Sequence, residues 1–177
     1  MDNAYFNFPK FYKYIASRHD FKRFVEVGVY TGASVCFLAE ELAKRPTPFE
    51  LYAVDLWEHA DKLGYTDLPV TVDTWNTFEE RMRITGTKEF IRPLKVDSIS
   101  ASLMFEDKSL DFVFIDADHS YGAVKGDIAA WYPKVRDGGI LAGHDYTEPC
   151  WVKQAVDESF GKPNLEGSVW WIVSRGT

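Results

Sequence analysis

Along this chain, short apolar runs alternate with stretches whose apolar residues return every three or four positions. Phe8, Phe11, Tyr12 and Ile15 recur at helical spacing, with Pro9 suited to a first turn, and predict a helix over 8–18 within an N-terminal helical segment, 1–20. RFVEVG, 23–28, reads as a buried strand, and 32–44 as a helix with Val35, Leu38, Ala39 and Leu42 on one face, stopped by RPTP. ELYAVD, 50–55, is a second strand. The stretch 56–73 has no regular period and is longer than most connections, as lids and substrate loops are. A helix over 74–84 turns Trp75, Phe78 and Met82 inward; 89–95 is a third strand, followed by a loop and short helix in VDSISASLMF. DFVFID, 111–116, is a fourth strand, and 121–132 a helix with Val124, Ile128, Trp131 and Tyr132 aligned. RDGG reads as a turn before a fifth strand, 139–143; a last helix spans 150–160 and SVWWIVS closes the chain as a strand, with room for at most a stub near Asn164–Leu165.

Strand–helix alternation at this spacing predicts one α/β domain over 1–177: a Rossmann-like, doubly wound, mostly parallel sheet of six or seven strands with helices on both faces. Such a sheet binds ligands outside the carboxyl ends of its strands. The informative residues are therefore those that end each strand.

Composition narrows the partners. A net charge of −7 offers no positive footprint for nucleic acid. MDNAYFNFPK has neither a basic region nor an apolar run, and no segment reaches the length of a membrane span, so a cytoplasmic protein is expected. The two cysteines, Cys36 and Cys150, have no metal or redox spacing and read as free thiols. Aromatic residues make up 16% of the chain, enough to suggest that some line a pocket or a subunit interface; VWWIV points to a homodimer.

Every strand end is polar. The first runs Glu26-Val27-Gly28, with Gly32 and Ser34 entering the next helix. Glycines there permit a tight turn and close approach of a ligand to backbone. The pattern Glu-x-Gly-x-x-x-Gly differs from the Gly-x-Gly-x-x-Gly that cradles a pyrophosphate, and its carboxylate suits a cationic group instead. The second strand ends in Asp55, a position where an acid accepts from ribose hydroxyls. The third leads to Asp97-Ser98, the fourth to Asp116-Ala117-Asp118-His119, the fifth to His144-Asp145. Any one of these acids is equally a helix cap or a solvated loop residue. Acids at five successive strand ends would repel one another unless a cation, organic or metallic, joined them.

FVEVGVYTGASV, YAVDLW and SLDFVFIDADHSYGAVKGDIAAWYPKVRDGGILAGHDY together resemble the class I S-adenosylmethionine-dependent methyltransferases, and among them the methyltransferase-24 family, over roughly 22–160. The resemblance implies that Glu26, Gly28 and Gly32, with Tyr30, Thr31 and Ser34, form the loop at the methionine end of S-adenosyl-L-methionine. It implies that Asp55 binds the ribose, with Leu56 and Trp57 flanking the adenosine and Asp97 and Ser98 on the adenine side. Asp116, Ala117 and His119 would lie beside the transferred methyl. Related catechol-type enzymes hold magnesium with a strand-four acid and an acid–amide pair after strand five. Here the pair position reads His144-Asp145, so Asp116, Asp145 and His144 would hold Mg2+ or another divalent metal.

His119 falls near the place of the family's catalytic lysine, and His119 or His144 would act as base, each being equally suited to ordering a loop. The expected reaction is O-methylation of a small-molecule acceptor, in a pocket built from Trp57, His59, Tyr65, Tyr5, Phe8 and Tyr12. Two alternatives stay open: a protein of this fold that binds without catalysing, and a nicotinamide-dependent oxidoreductase, against which Glu26 and the missing third glycine count.

Overall fold

The structure is a computed structural model that describes residues 6–58, 73–148 and 150–175. Tyr5, His59, Tyr65 and most of the expected lid lie outside the described residues. The elements run α1 (Pro9–Ser17), β1 (Arg23–Val27), α2 (Ala33–Ala43), β2 (Glu50–Asp55), α3 (Thr74–Thr85), β3 (Ile91–Lys95), α4 (Ser98–Ser102), β4 (Leu110–Ile115), α5 (Tyr121–Trp131), β5 (Val135–Gly143), α6 (Trp151–Phe160), β6 (Asn164–Glu166) and β7 (Val169–Val173).

Seven strands form one sheet in the order β3-β2-β1-β4-β5-β7-β6. β1 through β5 are parallel; β7 runs antiparallel to β5 and carries β6 on its outer edge. The stub near Asn164 is therefore a true seventh strand. Alternation along β1 divides the core. Phe24 packs with Phe11, Tyr12, Leu38, Phe78 and Phe112 under α1, α2 and α3. Val25 and Val27 pack with Val113, Val124, Ile128, Trp131 and Val152 under α4, α5 and α6. A fully buried side chain of this size stabilises by about 1.5–3 kcal/mol, and the N-terminal helix alone buries Phe11, Tyr12 and Ile15 completely.

One expectation changes. RDGG is a bulge inside β5, where the register jumps from Leu110 opposite Val135 to Phe112 opposite Ile140. The extra residues let Arg136 reach back, its Nε donating to Asp111 Oδ1 at 2.5 Å. The tryptophans of VWWIV are used within the chain: Trp170 is buried and packs on Phe160, and Trp171 packs on Phe11 and Tyr14. No described helix is long and apolar enough to cross a membrane.

Candidate active site

The carboxyl ends of β2, β1, β4 and β5 are stitched beyond the strands themselves. Gly28 N–H donates to Val54 O at 2.9 Å, Asp116 N–H to Val27 O at 2.8 Å, and His144 N–H to Ile115 O at 3.2 Å. Gly28 has φ +85°, and a Cβ there would lie 2.1 Å from the carbonyl oxygen of Asp116. Only glycine permits β1 to turn this close to β4. Gly32, at φ +80°, caps α2 against the ring of Phe78, which a Cβ would meet at 2.4 Å.

Between these glycines the loop is held by Asp55. Its Oδ2 accepts from the N–H groups of Val29 and Tyr30, each at 2.8 Å, and its Oδ1 from Trp57 N–H at 2.7 Å. Tyr30 and Trp57 both have positive φ, 52° and 47°, a conformation unfavourable to non-glycine residues that these hydrogen bonds sustain. Trp57 is nearly buried; it stacks on Phe78 at 5.0 Å, and its indole N–H donates to Tyr30 O at 3.0 Å. Trp57 thus supports the loop from inside. Leu56 beside it is half-buried. Arg81 braces the other side, Nε donating to Thr31 O at 2.9 Å.

Glu26 lies under this loop, 1% exposed. Tyr12 of α1 donates its hydroxyl to Oε2 at 2.7 Å, and Ser34 donates to Oε1. Both partners are neutral hydroxyls. Burial pushes the Glu26 carboxyl up to about 8; the two hydroxyls oppose this, while the charges of Asp116 and Asp55 add to it.

The second cluster sits past β4 and β5. His119 Nε2 lies 3.4 Å from Asp116 Oδ1 and 3.2 Å from Asp145 Oδ2. His144 Nδ1 lies 3.3 Å from Asp145 Oδ1 and 3.9 Å from Asp116 Oδ1. Asp145 takes a positive φ of 57° that turns it back into the cluster. The hydrogen bond to Asp116 raises the His119 pKa above its ordinary value, burial opposing. For His144 burial is the largest influence and lowers the pKa, but Asp145 and Asp116 outweigh it and the net shift is upward. The hydrogen bond to His144 holds Asp145 below the usual carboxylate range. A small recess opens beside the cluster, walled by Asp116, Ala117 and His119 over Val124, Val152 and Trp170.

Among the described residues, Asp116, His144 and Asp145 bring three donor atoms within 4.8 Å of one another, as a shared metal requires. His144 is 9% exposed, and its far nitrogen, Nε2, lies 2.7 Å from Ser168 Oγ and 3.0 Å from Asn7 Oδ1. With Nε2 so engaged, Nδ1 turns to the carboxylates, the arrangement that orients an imidazole ligand. The donor set thus fits a divalent cation, and its nitrogen suits several transition ions besides magnesium.

Other predicted site residues lie apart. Asp97 caps α4, accepting from Ser100 N–H at 2.9 Å. Ser98 Oγ donates to Asp127 at 2.5 Å and accepts from the Trp131 indole at 2.9 Å. Both are committed to the α4–α5 corner. Asn7, Ser168 and the hydroxyl of Tyr12 were not singled out for these contacts: none stands at a strand end, and each reaches its partner through long-range packing.

A family model described as a methyltransferase domain matches residues 25–146, more than half of the chain. No curated protein matches it in sequence. Among solved structures, the O-methyltransferase NovP superposes with TM-score 0.71 at 18% identity, covering 95% of this chain and 79% of that one. The O-methyltransferase TomG of Streptomyces achromogenes, solved with S-adenosylmethionine and involved in tomaymycin synthesis, gives 0.62 at 15% identity, covering 85% of this chain and 64% of that one. An S-adenosylmethionine-dependent O-methyltransferase from Thermotoga maritima gives 0.59 at 19%, covering 86% of this chain but only 49% of its own. This chain therefore spans about half the length of the Thermotoga enzyme and under two thirds of TomG. At these identities the likeness is one of fold.

Proposed function

From the premise that the chain belongs to the methyltransferase family matched over 25–146, we propose that it transfers the methyl group of S-adenosylmethionine to a hydroxyl of a small molecule. The observation that carries this reading is Glu26: a wholly buried carboxyl whose hydrogen-bond partners among the described residues are hydroxyls, beneath a glycine loop at the end of β1. A buried acid without a cation is costly. A ligand ammonium group, as at the amino-acid end of S-adenosylmethionine, supplies that cation. A pyrophosphate gains nothing from a carboxyl there and is repelled wherever that carboxyl ionises, which argues against a nicotinamide cofactor.

Asp55 sets the loop through three N–H groups, and an ionised carboxylate has about four lone-pair sites. Among the described residues nothing takes the remaining one, which a ribose hydroxyl would fill. At the other cluster, the acceptor hydroxyl would enter beside half-exposed His119, whose Nδ1 would accept its proton while Nε2–H stays turned to the carboxylates. Asp116 and Asp145 stabilise the imidazolium that forms. Asp116, His144 and Asp145 would hold a divalent metal, which supplies a lowered acceptor pKa when bound. Phe8 and the recess beside Val124 shape where the acceptor rests. Alignment of acceptor and methyl is the main task, worth about 7–11 kcal/mol at best.

Calorimetric titration with S-adenosylmethionine, S-adenosylhomocysteine and NAD tests the cofactor. The reading expects binding of the first two, no heat from NAD, and loss in Asp55→Ala. A transfer assay over catechols, phenols and sugar hydroxyls, with and without magnesium or manganese, then tests the reaction. Binding of NAD alone would overturn the reading.

A further inference from the structure

The cofactor reading makes the neutral surroundings of Glu26 consequential. The carboxyl is 1% exposed and is enclosed from three elements: β1 beneath it, α2 through Ser34, and α1 through Tyr12, itself 0% exposed. The titratable groups acting on it from the packed elements are Tyr12 on α1, Cys36 on α2, Asp55 after β2 and Asp116 after β4. Tyr12 is held well above its ordinary pKa, by burial first and then by Glu26 itself, and Cys36 is raised by burial. Neither releases a proton near neutrality. Arg81, the nearby guanidinium on α3, is turned to the loop carbonyl of Thr31. Among the described residues, the groups acting on Glu26 are the hydroxyls of Tyr12 and Ser34 and the carboxylates of Asp116 and Asp55, and an ionised carboxylate in such a place is strongly disfavoured.

We propose that cofactor binding is proton-linked at Glu26: the carboxyl is neutral in the free protein, and the ammonium of the bound amino-acid end converts it to a carboxylate, its proton leaving to solvent. The balance is one carboxylic acid and one ammonium giving a carboxylate–ammonium pair and one free proton. Tyr12 is the positioning residue for this exchange. Its hydroxyl donates to Oε2 and stabilises the carboxylate once formed, so the N-terminal helix takes part in cofactor binding through Tyr12. The shift already described, to about 8, agrees with a carboxyl that is neutral at pH 6.5.

The inference rests on the methyltransferase reading, and its test separates the two. Titrating the full chain with S-adenosylhomocysteine at pH 6.5, in two buffers of different ionisation enthalpy, counts protons. Close to one proton per site should be released, and affinity should tighten close to tenfold between pH 6 and 7, the slope that one released proton imposes. Methylthioadenosine, which lacks the amino-acid end, should release none. Glu26→Gln should bind about tenfold more weakly or worse, with no buffer-dependent heat. Tyr12→Phe keeps the ring packing; it should melt only a few degrees lower, remain folded at the assay temperature, and bind several-fold more weakly. Buffer-independent heat from the wild-type protein, or equal proton release from Glu26→Gln or with methylthioadenosine, would overturn the proton linkage while leaving the cofactor assignment standing. Failure of the wild-type protein to bind S-adenosylhomocysteine would overturn both.

Discussion

Asp111 opens β4 and Asp116 closes it, and the two carboxylates live in opposite circumstances. Asp111 is buried at the amino end and fully compensated: it accepts from Lys22 N–H and Arg23 N–H, each at 2.8 Å, and pairs with Arg136 Nε. Asp116 is partly open at the carboxyl end, where its nearest ionisable nitrogens among the described residues are imidazoles, His119 at 3.4 Å and His144 at 3.9 Å. Its neighbour Asp145 holds a left-handed backbone, and Glu26 nearby is held, among the described residues, by two hydroxyls. One end of the sheet spends its acids on closing β1 to β4 and β5. The other keeps acids short of cations, with a backbone that neighbouring hydrogen bonds force into place. Such undercompensated polar groups mark functional sites.

The largest expected effect breaks the two ends apart. Asp116→Ala should lower methyl transfer by roughly 10²–10⁴-fold while chemical denaturation gives nearly the wild-type stability. A matching loss of stability would mean that the carboxyl-end acids serve the fold, and the contrast would fail. Asp111→Ala should do the reverse. It strands Arg136 and two strand-opening N–H groups, and should cost about 3–5 kcal/mol in denaturant midpoints, with turnover per folded molecule preserved at low temperature.

A smaller effect sharpens the contrast at a third buried acid, Asp127 on α5. Burial pushes it up to about 6, against the opposing hydrogen bond from Ser98. A folded-state pKa above the ordinary carboxyl value means the native protein binds this proton more tightly than the unfolded chain does. Stability is then fully present below about pH 4 and is lost as pH rises towards 6. Asp127→Asn should therefore stabilise the protein at pH 7 by up to about 3 kcal/mol, with the gain vanishing below pH 4. A gain that persists at low pH would show a packing effect instead.

Much of this was legible in the chain itself. Strand and helix periods are strong where a strand is buried on both faces, so the order of elements and the doubly wound sheet could be read directly, and topology then pointed to strand ends. Glu26, Gly28, Asp116, His119, His144 and Asp145 follow from that rule alone. The bulge at RDGG was hidden because a glycine pair reads as a turn until the Arg136–Asp111 pairing is seen. Asp97 and Ser98 obey the strand-end rule and also cap α4 and tie it to α5, contacts that residue type alone does not reveal because a short polar residue there caps a helix as readily as it meets a ligand. Trp57, expected to flank the adenosine, also packs inward on Phe78 and under Tyr30, contacts that its place in the sequence does not report. Asn7, Ser168 and the Tyr12 hydroxyl touch the site across long sequence separations, which periodicity does not report.

The central claim is that the carboxyl ends of β1, β2 and β4 form an S-adenosylmethionine site with Glu26 at its cationic end. A crystal structure of the protein with S-adenosylhomocysteine tests it most directly. The account predicts the ligand's amino group within hydrogen-bond distance of Glu26 and its ribose against Asp55, with the sulfur facing Asp116. Density for the ligand elsewhere, or an amino group turned away from an unchanged Tyr12–Glu26–Ser34 set, would contradict it.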